Sequence, residues 1–94
     1  MVRYICFCMM TPEFLQLPLE EREGYVPKWT EIARKQGFNL LFWGNVLGVP
    51  ENAVFVFEAP VQTEKYFKFL REWLELGTKD AGKLISYTRT VTVN

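Results

Sequence analysis

No histidine occurs in the 94-residue chain. That removes the most common general base, the Ser-His and Cys-His nucleophile pairs, imidazole-based zinc sites and the usual haem ligand. Any catalysis would rest on carboxylates, tyrosine, thiol, lysine, arginine or a substrate that is itself reactive. An excess of one charge is also missing, because 11 basic residues are cancelled by 11 acidic ones. The basic footprint by which nucleic-acid binders hold phosphates is therefore absent. No apolar stretch approaches the ~20 residues needed to cross a bilayer, and the first residues lack the pattern of a signal peptide. These absences lead to the expectation of a soluble cytoplasmic protein with neither nucleic-acid nor membrane partners.

What is abundant points elsewhere. Hydrophobic residues make up 49% of the chain and aromatic residues 16%. A domain this small has proportionally more surface, so one monomer is not expected to hide all of that apolar material. Self-association is the simplest way to cover the remainder. No repeat, linker or low-complexity tract interrupts residues 1–94, and a single domain is expected.

The segment Val2 to Met10 is apolar and too short for a confident helix, and Thr11-Pro12 follows it. It reads as a strand with Tyr4, Cys6, Cys8 and Met10 on one face and Ile5, Phe7 and Met9 on the other. Both faces are apolar, which places the strand centrally in a sheet. A helix is expected next, with Pro18 in its first turn, Glu20 and Glu21 near its positive end, and a kink or second start near Tyr25 forced by Gly24 and Pro27. Val26, Trp29, Ile32 and Ala33 share a face of it, and Gly37 is a natural stop. Two strands then surround a turn, Phe38 to Trp43 and Ala53 to Ala59. A second helix, capped by Thr63, is expected to bury Tyr66, Phe67, Leu70, Trp73 and Leu74 and to end near Gly77. After a polar loop the final strand runs from Leu84 to Val93.

The order strand, helix, strand, strand, helix, strand is that of a ferredoxin-like α+β domain, βαββαβ, in which a four-stranded antiparallel sheet carries both helices on one face. Two helices cover one side only, yet the central strands are apolar on the other side as well. A second copy packed sheet to sheet would cover it. The stretch GNVLGVPENAVFVFEAP, followed by a helix and the closing KLISYTRTVTVN, resembles members of the dimeric α+β barrel superfamily of the GYD, stress-responsive barrel and antibiotic-biosynthesis monooxygenase types. Where many of those have Gly-x-x-Asp before the third strand, this chain reads Gly48-Val49-Pro50-Glu51-Asn52, and the aspartate is absent. The resemblance implies a homodimer joined through its sheets, or a higher oligomer built from it, and a pocket between helices and sheet.

Cys6 and Cys8 lie on one strand face with α-carbons roughly 6.6 Å apart, so a disulfide between them would be strained. A zinc site would need two more ligands, and only Met10 shares the face as a third soft ligand for Cu(I). Buried free thiols are the expected state, with neither metal nor cofactor. Glu58 stands in an apolar strand face. It either reaches an arginine such as Arg3 or Arg89 at the strand end, or sits in a cleft as a base or ligand-orienting group. Arg89 either binds an anion or makes an ion pair. Trp29, Trp43 and Trp73, with Tyr4, Tyr66 and Tyr87, supply either core packing or the walls of an aromatic pocket.

The candidate ligand-binding residues are therefore Tyr4, Trp29, Trp43, Glu58, Tyr66 and Arg89. The functional expectation is a small-molecule-binding homodimer without catalysis. The alternatives are a cofactor-independent monooxygenase acting on an aromatic substrate and a purely structural dimerisation module.

Overall fold

The computed structural model describes residues 1–60, 63–76 and 83–94. Strands β1 (Val2–Met10), β2 (Asn39–Asn45), β3 (Ala53–Ala59) and β4 (Ile85–Val93) form one antiparallel sheet in the order β2-β3-β1-β4. Helices α1 (Pro12–Leu15) and α2 (Leu19–Lys35) follow β1, and α3 (Thr63–Leu74) follows β3. This is the ferredoxin-like α+β order, with β1 and β3 in the middle as the two-sided apolar pattern requires.

Alternation along β1 divides the molecule. Tyr4, Cys6, Cys8 and Met10 are buried, whereas Ile5, Phe7 and Met9 keep part of their solvent contact. On β3, Ala53, Phe55, Phe57 and Ala59 are buried on this face, paired in register with β1, and Val56 is buried on the opposite face. Both long helices press aromatic rings onto this face. Trp29 of α2 meets Phe55 at 5.6 Å between ring centroids, and Phe69 of α3 meets Phe57 at 5.2 Å. Edge-to-face geometry prevails, as the quadrupoles of the rings favour.

Three local expectations change. Helix α2 runs without a second start through Gly24 and Pro27, because Tyr25 and Trp29, on either side of the proline, are both anchored to Phe14. A separate turn of helix, α1, precedes it: Pro12 occupies the first turn and the Thr11 hydroxyl accepts a hydrogen bond from Phe14 N at 3.2 Å. On α3 the buried stripe is Tyr66, Phe69 and Trp73, whereas Phe67 is 64% exposed. Phe67 lies about 100° around the helix from Tyr66, and the three- and four-residue steps from Tyr66 lead to Phe69 and Leu70 instead.

Gly37 ends α2 as expected. Its φ is 87°, Phe38 N–H bonds Ala33 O at 2.8 Å, and Gly37 N–H bonds Arg34 O at 3.0 Å, the pair of bonds of a Schellman motif. The capping side chain of Thr63, the helix end at Gly77 and the loop 78–82 lie outside the described residues.

Candidate functional site

A cleft of about 170 Å³ opens where α1 and the first half of α2 meet the β2 end of the sheet. Its apolar walls are Met10, Phe14, Trp29, Trp43 and Phe55, and Arg22, Glu23, Asn45 and Asn52 supply polar atoms. Several bonds hold this shape. The Thr11 hydroxyl donates to Lys83 O at 2.8 Å, which fixes the start of α1 against the approach to β4. Trp29 Nε1 donates to Trp73 O at 3.1 Å and locks its indole between the two long helices. Asn52 accepts from Met10 N at 2.8 Å and donates to Met10 O at 3.4 Å, joining the β2–β3 connection to the end of β1. Arg22 is tethered through Nε to Leu17 O at 3.1 Å. Trp43 is the solvent-facing wall: it stacks on Phe55 at 6.3 Å but remains 47% exposed.

Tyr4 and Tyr66 lie in a different place. Their rings stack at 4.6 Å beside a groove of about 240 Å³ between α3 and β4, lined also by Phe67, Leu70, Thr88, Thr90 and Thr92. The Tyr66 hydroxyl and Thr90 Oγ1 are 2.6 Å apart. Burial pushes the Tyr66 phenol well above the usual range. Beneath them Cys6 and Cys8 are free, fully buried thiols with sulfurs 3.8 Å apart. The hydrogen bond with Cys6, then burial, push the Cys8 thiol up, so it stays protonated and a poor nucleophile.

Glu58 and Arg89 lie on the opposite, open face of the sheet. Glu58 is 3.7 Å from Arg3, the ion-pair alternative among its two readings. Arg89 bonds Glu51 at 2.8 Å and lies over the Phe7 ring at 4.7 Å from its centroid. The Tyr87 hydroxyl donates to the same carboxylate at 2.9 Å. Hydrogen bonds from Arg89, and more weakly from Tyr87, hold the Glu51 carboxyl below the usual range, against the opposing pull of burial. Glu51 is the residue that sequence reasoning passed over, since its side chain is only 3% exposed.

The six candidates thus fall into three places: Trp29 and Trp43 in the cleft, Tyr4 and Tyr66 beside the α3–β4 groove, and Glu58 and Arg89 in ion pairs across the sheet. Among the described residues no three of His, Cys, Asp and Glu gather closely enough to hold a metal ion, and no helix is long and apolar enough to cross a membrane.

No family model matches the chain, and no curated protein matches it in sequence. Among solved structures, it is similar to the crystal structure of an uncharacterized NIPSNAP domain protein from Burkholderia xenovorans. The TM-score is 0.51 at 13% sequence identity, over 100% of this chain and 93% of that one. At this identity the likeness is one of fold, and it agrees with the α+β ferredoxin-like sheet described above.

Proposed function

We propose that the protein binds a small apolar or aromatic molecule in the cleft walled by Trp29, Trp43 and Phe55, as a homodimer whose sheets pack face to face and without catalysis of its own. The carrying observation is Trp43, a large ring left half in water at the mouth of an apolar hollow that a ring-sized molecule would fill. A dry apolar cavity of ~150 Å³ is large enough to accept benzene, and about 170 Å³ here is of that order. The polar atoms at the rim would orient a ligand bearing one hydroxyl, amide or carboxylate.

An oxidative mechanism needs a titratable group over the bound ring. Among the described residues, the titratable side chains on the cleft walls are Arg22, whose Nε is tied to Leu17 O, and Glu23, which is exposed at the rim, while Glu58 and Arg89 lie on the other face of the sheet. This favours binding over catalysis. The dimer is supported by the apolar residues that the open face leaves half-covered, Ile5, Phe7 and Met9 on β1 and Val54 on β3.

Two measurements test the proposal. Titration calorimetry with indole, 2-naphthol and benzoate should give saturable binding that Trp43→Ala weakens at least tenfold. Heat of dilution alone for all three probes would sink the binding reading. Sedimentation at micromolar concentration should give twice the 11.1 kDa chain mass, and a stable monomer would remove the dimer.

A further inference from the structure

The two edges of the sheet are built differently. At the β2 edge the register slips between Leu40 and Phe42, and the seven-residue strand contains Gly44 near its end. Bulges and short strands of this kind blunt an edge against further pairing. At the other edge β4 has nine residues, and its only irregularity, between Met9 and Met10 of its neighbour, comes at its beginning. From Tyr87 to Val93 it is regular and contains neither proline nor lysine. Its one charge, Arg89, is already matched by Glu51. Among the described residues, β1 is the only strand beside it. Nothing in β4 carries the usual defences of an exposed edge.

The sequence of β4 selects the occupant. An antiparallel partner must keep each face aligned, so residues pair with their own parity. A second copy of β4 aligned about Arg89 would set two guanidinium groups directly opposite each other. Aligned about Thr90, one step along, the conflict disappears. Thr90 then faces Thr90 of the second copy, Thr88 faces Thr92, Tyr87 faces Val93 and Arg89 faces Val91. Apart from Arg89–Val91, in which a charge meets an aliphatic residue instead of its own copy, these are threonine–threonine and aromatic–β-branched pairs, the kinds that stabilise neighbouring strands. We infer that β4 pairs with β4 of a second copy, antiparallel and centred on Thr90, extending the sheet from four strands to eight across a two-fold axis. This contact is at the sheet edge and is independent of whatever covers the open face.

The test is a charge exchange on the face under the helices, which face-to-face packing of the sheets does not touch. Thr88→Lys with Thr92→Lys places lysine opposite lysine twice across the axis, and Thr88→Lys with Thr92→Glu places lysine opposite glutamate twice. Within one chain the two positions are ~13 Å apart along the strand, so both variants should fold alike. Sedimentation should show edge association weakened by about tenfold or more in the double-lysine protein and restored in the lysine–glutamate protein. Equal association of both variants overturns the inference. If either variant fails to fold, amide hydrogen exchange on the unaltered protein decides. Exchange across residues 86–93 that slows on concentration supports the pairing, and exchange independent of concentration overturns it.

Discussion

On one face of the sheet, Tyr4, Cys6 and Cys8 of β1 lie beside Phe55 and Phe57 of β3, and rings from two helices close over them. On the other face of the same strands, Ile5, Phe7 and Val54 keep part of their solvent contact, and an ion pair is laid across them. The backbone hydrogen bonding is shared, so the contrast comes from side chains alone. The dry face draws its stability from buried area and close ring contact, which concern only this chain. The open face combines apolar side chains with an ion pair and keeps part of its solvent contact. One sheet therefore serves as core on one side and as unfinished surface on the other.

The widest gap should appear between Phe57 and Phe42, which the register places on opposite faces, Phe42 beside Val56. Phe57→Ala should cost about 3–5 kcal/mol in denaturant unfolding, whereas Phe42, 59% exposed, should cost less than about 1 kcal/mol. Equal costs would mean that the open face is a core already. A smaller difference separates two buried indoles. Trp29 Nε1 has its acceptor at Trp73 O, while Trp73 Nε1 has no partner among the described residues. Trp29→Phe should therefore be more destabilising than Trp73→Phe by about 1 kcal/mol.

The open face should declare itself through acid. The Glu51 carboxyl is held down chiefly by Arg89, so its contribution is complete above the unfolded carboxyl value of ~4.3 and is lost as pH falls through the lower folded value. Glu51→Gln should flatten that acid limb in a plot of Tm against pH, and leave the slope at neutral pH unchanged. An unaltered acid limb would show that the pair does not form in solution. Least of all should Phe67→Ser matter, at within about 0.5 kcal/mol, since that ring points outward from α3.

Much of this was legible in the chain. β3 was readable to the residue, because Ala53 to Ala59 is a short β-branched and aromatic run, apolar but for Glu58, and Pro60 ends it. Gly37 announced the end of α2 because its positive φ is available to glycine without strain. A second start of α2 near Tyr25 does not occur, and ring contacts that no local rule contains hold the helix together through Pro27. The α3 stripe was displaced because Phe67 and Phe69 are equally apolar and only the helix phase separates them.

The candidate site was less legible than the fold. Each ring was identifiable as important, but which rings share a hollow depends on the sheet order. Trp43 and Trp29 are joined through Phe55, and Tyr4 and Tyr66 through direct stacking. Glu51 was not singled out, since nothing nearby in sequence reveals that Arg89 and Tyr87 return to meet it.

The three tryptophans give the molecule an optical signature of its own. Trp29 and Trp73 stand 5.3 Å apart in a water-free setting, and Trp43 stands apart from them at the edge of the sheet. The close pair will emit at short wavelength and pass excitation between its members, while the single indole at the edge will emit further to the red and meet soluble quenchers first. One emission spectrum thus reads two places at once: its blue side follows the integrity of the core, and its red side follows the solvent around Trp43.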